Sequence, residues 1–223
     1  MKELSSHFKT AVRDYLYLME RHYPEKSALK LVSDRYALSG EERSMLFRGV
    51  APAALAEERR KKTVRKPEPG SFFIVDGYNV IRTVGSYLNG NFVFVAMDSF
   101  LRDASEIHKK AVRDELVYRS LELIFETLSG LKCSGVRFLL DIPVSKSGEL
   151  ASYINQKLSD FGLSGEAITV HSPDHHLKKA EEGIVCTSDS VIVDECRLPV
   201  FDLAQQTLKM HFSPDFMEMS AIL

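Results

Sequence analysis

Four short apolar runs, each leading to an aspartate, constrain this chain more than any other feature. The clearest is Phe72-Phe73-Ile74-Val75-Asp76, which runs straight into Gly77-Tyr78-Asn79-Val80-Ile81. VRFLLD closes on Asp141, GIVCTSD closes on Asp189, and AITVHS is followed by Pro173-Asp174. Short continuous apolar runs separated by amphipathic stretches predict strands buried on both faces and joined through helices, which is the pattern of a parallel sheet. The fold class expected is α/β: a three-layer α/β/α sandwich with a mostly parallel sheet, completed by LPVF (198–201) and a last helix DLAQQTLKM. Sheets of this kind place their sites beyond the carboxyl ends of the strands. Asp76, Asp141, Asp174 and Asp189 are therefore expected along one edge.

Between the strands, Ser147–Gly162 has Leu150, Ile154 and Leu158 at helical spacing. Ser99–Leu128 is expected as one long helix lined by Ile107, Ala111, Val117, Leu121, Ile124, Phe125 and Leu128. Asn89-Gly90 in SYLNGNFVFVAMD is a hairpin-turn signal, so a small β excursion is expected there.

Ahead of the sheet, Leu4, Phe8, Ala11, Val12, Tyr15, Leu16 and Met19 fall on one helical face, and Pro24 interrupts the pattern. A second helix is expected from Glu25. Ser39-Gly40-Glu41-Glu42 has the spacing of a capping box opening a third, and Pro52 suits the first turn of a fourth. The stretch EERRKKTVRKPEPG (57–70) closes on two prolines and a glycine and marks a boundary. Residues 1–66 are expected as a small all-α subdomain and 67–223 as the α/β domain.

Formal net charge is −2, so bulk charge predicts no polyanion partner, and only a local patch could bind one. The run Arg59, Arg60, Lys61, Lys62, Arg65 and Lys66 is such a patch, and its plainer reading is a solvated helix end plus linker. Three cysteines without CxxC spacing predict reduced thiols in a cytoplasmic protein. No secretory leader and no membrane span are expected. GxSxG, Walker and GxGxxG patterns are absent, and position 78 is Tyr and position 80 Val where a D-x-D-x-T phosphatase start would need Asp and Thr. His171, His175, His176 and Cys186 fit no standard zinc spacing.

Each aspartate has a plain account alone: turn chemistry for Asp76-Gly77 and Asn79, a pre-proline corner for Asp141, a helix first turn for Asp174, a helix cap for Asp189. Together they are costly. Unit charges about 4 Å apart repel by roughly 4 kcal/mol at an intermediate dielectric. A hard divalent cation, Mg²⁺ or Mn²⁺, would offset this and could activate a water against a phosphodiester.

VDGYNVI, FLLDIP and PDHHLKKAEEGIVCTSDS resemble the motifs of the NYN branch of the PIN-like nucleases over roughly residues 70–210. The resemblance implies a ribonuclease with Asp76, Asn79, Asp141, Asp174 and Asp189 as the acidic site. It implies Mg²⁺ or Mn²⁺ on the four aspartates, and products with a 5′-phosphate and a 3′-hydroxyl. Residues 84–98 and Met97–Asp103 depart from the NYN pattern. Together with LVSDRYALSGEERSMLFRGV they resemble an uncharacterised prokaryotic family with a helical front. Asp98 and Asp103 either add metal ligands or fix a loop. RNA contacts are expected from the basic run 59–66, Arg82 and Lys146. The alternative is a catalytically inactive RNA-binding or adaptor protein of the same fold, with the N-terminal helices as a lid or homodimer interface.

Overall fold

A computed structural model describes residues 4–105 and 114–223. Four helices come first: α1 (Phe8–Glu20), α2 (Glu25–Arg35), α3 (Gly40–Gly49) and α4 (Ala53–Lys62). Then follow β1 (Phe72–Asp76), α5 (Gly77–Leu88), β2 (Val93–Val95), β3 (Leu101–Asp103) and α6 (Asp114–Leu131). The rest alternates: β4 (Gly135–Asp141), α7 (Ser147–Asp160), β5 (Gly165–Val170), α8 (Pro173–Lys178), β6 (Ile184–Cys186), α9 (Ser190–Glu195), β7 (Val200–Phe201) and α10 (Leu203–Phe212), closing on β8 (Met217–Glu218).

The chain forms two compact units, each built from separate stretches of sequence. One comprises the described parts of Met1–Lys61, Ser86–Ala111 and Asp215–Leu223; the other comprises those of Lys62–Gly85 and Val112–Pro214. The expected boundary near residue 66 lies close to the 61/62 crossing. The excursion after α5 and the C-terminal strand belong with the helices because β2 pairs antiparallel with β3 and parallel with β8 in a sheet of their own.

In the helical unit, Phe8, Val12 and Tyr15 of α1 share a core with Val32, Met45, Leu46, Phe94 and Met219. The capping box forms as its spacing predicts: Ser39 Oγ accepts from the Glu42 amide at 3.2 Å, and Glu42 Oε2 accepts from the Ser39 amide at 2.9 Å. Asn89-Gly90 is not a hairpin turn. The Gly90 amide donates to Tyr87 O and the Asn91 amide to Ser86 O, with Gly90 at φ +72°, so the pair ends α5 as a left-handed C-cap. The hairpin turns instead through Met97–Phe100, with Ser99 at φ +73°. The long helix expected from Ser99 does not run from there, because Leu101–Asp103 is claimed by β3; its described part is α6, Asp114–Leu131, and Ile107 and Ala111 lie outside the described residues.

Asp98 organises this hairpin. It is fully buried, and its Oδ2 accepts from Arg59 Nη1 at 2.9 Å and Arg102 Nη2 at 2.8 Å, while Oδ1 accepts from Arg102 Nη1 at 2.9 Å. Burial pushes its pKa up, but Arg102 and Arg59 together hold it below the ordinary carboxylate value. Asp98→Ala would remove the buried carboxylate that Arg59 and Arg102 share, and we expect a loss of about 3–5 kcal/mol in urea unfolding.

The second unit is built on a five-stranded sheet of order β5-β4-β1-β6-β7, parallel throughout. Connections from β1 to β4 to β5 extend it one way; the chain then crosses back to add β6 and β7 on the other side of β1. That reversal is a topological switch point. Phe73, Val75, Phe138 and Leu140 point to one face, where Phe138 meets Phe125 of α6 at a centroid distance of 6.0 Å and Phe73 meets Phe201 at 5.8 Å. The alternate residues Ile74, Leu139 and Ile168 share the opposite face with His175 and His176 of α8. The unit is α/β with helices on both faces, consistent with α/β/α layers.

β1 passes into α5 with no loop, and Gly77 permits it. A Cβ there would stand 2.5 Å from Leu140 Cδ2 and 2.9 Å from the Leu139 carbonyl oxygen, which is backbone and cannot swing aside. Gly77→Ala is expected to cost about 1–3 kcal/mol in chemical denaturation, as overpacking does.

Candidate active site

Strand register brings the aspartates to one rim. Asp76 pairs with Leu139, so Asp141 lies two residues further along the neighbouring strand and on the same face. Val75 pairs with Cys186, which sets Thr187 beside Asp76 and leads two residues on to Asp189. Asp141 pairs with Val170, and the chain continues from there to Pro173 and Asp174 at the start of α8. Since all four strands are parallel, Asp76, Asp141, Asp174 and Asp189 stand at the carboxyl ends of adjacent strands, centred on the switch point beside β1.

Hydrogen bonds tie the two sides of that switch point. Thr187 Oγ1 donates to Asp76 Oδ2 at 2.8 Å and accepts from the Asp189 amide at 3.1 Å. The Asn79 amide donates to Asp76 Oδ1 at 3.4 Å, and Asn79 Oδ1 accepts from the Ser188 amide at 2.9 Å and its hydroxyl at 3.2 Å. Asp189 caps α9, its Oδ1 accepting from the amides of Val191 at 2.8 Å and Ile192 at 3.3 Å. Asn79 thus acts first as a clamp on the β6–α9 turn. Thr187 and Ser188, within the TSD triplet, are the residues that sequence reasoning did not single out; the parallel register of β1 with β6 is what gives them their partners.

Asp76 is buried, with 7% of its surface exposed. Burial pushes its pKa from the ordinary 3.8 up to about 7; the Thr187 hydroxyl opposes this, and the charges of Asp189 and Asp174 push further up. Burial and the Asp174 charge likewise raise Asp141, and burial with the Asp141 charge raises Tyr78. Asp76 and Asp141 both feel the charge of Asp174, and no cationic side chain among the described residues figures in the influences on either. Among the described residues, no three or more His, Cys, Asp or Glu side chains converge closely enough to hold a metal ion by themselves.

Other expected site residues have different work. Asp98 is sealed between two arginines; Asp103 Oδ2 accepts from Arg48 Nη1 at 2.9 Å and its Oδ1 from the Ser105 amide at 2.9 Å. Both fix the hairpin, and both sit in the helical unit rather than in the sheet unit with the rim. The basic run is also redistributed. Arg59 is buried against Asp98, Arg60 binds Glu57 and the Met97 carbonyl, and Lys62 donates to three carbonyls at the end of α9. Lys61, Arg65, Lys66, Arg82 and Lys146 are exposed. His175 and His176 are exposed on α8, while Cys186 is buried with its thiol pushed up by burial, so they assemble no zinc site. All three cysteines are unpaired. No helix among the described residues is long and apolar enough to cross a membrane.

Residues 69–206 match the family described as Domain of unknown function (DUF5616). The chain belongs to that family. The DUF5616 match spans the whole parallel sheet and every rim aspartate. Residues 7–62 match a second family, Protein of unknown function (DUF434), whose end coincides with the end of α4. An uncharacterized protein of Methanocaldococcus jannaschii, MJ0935, is 33% identical over 184 residues, covering 82% of this chain and 87% of its own length. No solved structure matches.

The pKa of Asp76 has a testable sign. Because folding raises it, the folded state holds a proton that the unfolded chain releases above 3.8, so the Asp76 contribution to stability is full below that pH. It declines as pH rises to about 7, by roughly 1.4 kcal/mol for each unit crossed. In chelator-treated protein, Asp76→Asn should gain on the wild type in urea unfolding between pH 4 and 7, and the difference should then stay constant.

Proposed function

We propose that this chain is a divalent-metal-dependent ribonuclease of PIN-like fold, hydrolysing RNA phosphodiester bonds at the carboxyl rim of its parallel sheet. The observation that carries the reading is Asp76, a carboxylate buried at the rim beside the like charges of Asp189 and Asp174, with no cationic side chain among the described residues to offset them. The motif resemblance supplies the RNA substrate, and the unpaired cysteines suit a cytoplasmic setting.

The donor chemistry fits Mg²⁺ or Mn²⁺. Magnesium is commonly held by one or two carboxylates, with waters and substrate phosphate completing the shell, so a closed protein cage is not required. Asp76 and Asp189 would hold the ion, with Asp141 and Asp174 beside them. A bound ion supplies Lewis acidity toward the phosphodiester. The remaining work belongs to the chain. Thr187 fixes the orientation of Asp76 by donating to Oδ2. Asp189 spends Oδ1 on the α9 amides, so Oδ2 is the oxygen available to a cation. Asn79 keeps the β6–α9 turn against α5. Exposed Arg65, Lys66 and Arg82 offer charge to the RNA backbone.

Incubating end-labelled RNA with the purified chain and Mn²⁺ tests this. Cleavage should leave 5′-phosphates. Asp76→Asn and Asp189→Asn should each reduce it about 100-fold or more, the scale expected for losing a group that acts on the transition state. Asparagine still caps a helix, so Asp189→Asn keeps α9. Undiminished cleavage in both variants would remove the rim from the mechanism, and RNA retention without cleavage by the wild type would favour the non-cleaving adaptor.

A further inference from the structure

We propose that Lys62 is a positioning residue for the carboxylate rim, holding Asp189 in place through the length of α9. The helix has six residues, Ser190–Glu195, and is fastened at both ends. At its start the Asp189 carboxylate binds the amides of Val191 and Ile192. At its end the Lys62 ammonium donates to the carbonyls of Val193 at 2.8 Å, Asp194 at 2.9 Å and Cys196 at 3.0 Å.

Three observations make this more than a surface lysine resting on a helix. An ammonium has three donors, and here all three meet backbone carbonyls, the groups a helix leaves without partners at its C-terminus. The charge has the sign that the C-terminal end of the helix dipole favours. The lysine's own backbone is anchored beside it. Thr63 forms a parallel bridge with Val200, and the Val64 amide donates to the Val200 carbonyl at 2.8 Å, so the chain leaving Lys62 is stitched to the edge of β7. The side chain therefore reaches α9 from a fixed point on the sheet.

A one-and-a-half-turn helix is too short to persist on its own propensity, because nucleation is costly and few bonds follow it. α9 owes its place to its two ends and to buried Ile192 and Val193. Loosening the Lys62 end frees the register of the helix at the Asp189 end. That Asp189 thereby serves metal-dependent cleavage rests on the function proposed above; the fixing of α9 does not.

The test uses the full chain as wild type, Lys62→Met, which keeps the stem and loses the charge, and Lys62→Arg, which keeps the charge. Hydrogen exchange is read at the Val191 and Ile192 amides, which report the Asp189 cap directly, with α7 amides as an internal control. Lys62→Met should exchange about 10-fold faster at Val191 and Ile192, the factor a lost charge-assisted cap contributes. α7 should be unchanged, and Lys62→Arg should recover most of the protection. Mn²⁺ titration by calorimetry should show weaker binding in Lys62→Met. Unchanged exchange at Val191 and Ile192, or an equal rise in α7, overturns the proposal. Faster α9 exchange in a protein whose wild type binds no Mn²⁺ upholds the role of Lys62 and sinks the metal reading alone.

Discussion

β1 is hydrogen-bonded on both sides by parallel partners, and almost everything of interest follows from that double pairing. A central parallel strand has its side chains covered on both faces, so it must be apolar along its length. Phe73, Ile74 and Val75 meet that demand. The first residue released from it is Asp76, where the strand gives way to α5. Pairing with β4 carries Asp141 to one side of that point, and pairing with β6 carries Thr187 and Asp189 to the other. Gly77 lets the helix start without a loop, which keeps Asp76 tight against its neighbours rather than out in solvent.

Such crowding works against stability. Asp76 sits at 7% exposure with two acidic neighbours pressing on it and the Thr187 hydroxyl and Asn79 amide in support. Contrast Asp98, also buried in its own unit but met by Arg59 and Arg102. Among the described residues these two buried aspartates thus have opposite electrostatic settings: Asp98 is met by guanidinium charge, and Asp76 by a hydroxyl and a backbone amide. On the proposed function, the difference is intelligible because a cation would reach the rim from outside.

Legibility in the sequence followed the range of the interaction. The strands were readable because each is a local apolar run, and the capping box because Ser39 and Glu42 are three residues apart. The rim was readable because strand ends in a parallel sheet share an edge whatever the detailed register. What was misread depends on distant partners. Asn89-Gly90 has the same left-handed preference whether it closes a hairpin or a helix, and only the strand that follows decides between them. Arg59 and Lys62 look like neighbours in one solvated run, and at i, i+3 they even share a side of α4. Yet one meets Asp98, thirty-nine residues on, and the other the end of α9, more than a hundred residues on. Nothing within the run itself distinguishes those partners from water.

That redistribution changes what the basic segment can do. A patch recruits a polyanion through charges that remain solvated and mobile. Arg59 and Lys62 are already spent on protein acceptors, and an ion pair or cap must be broken before either could serve a phosphate. The electrostatic attraction open to the segment falls to residues such as Arg65 and Lys66, on a chain whose overall charge is slightly negative. On the proposed function, long-range steering of RNA is then weak, and selectivity falls to the rim. On that proposal, a cation held there would reverse the sign of the local field and draw phosphate to the rim.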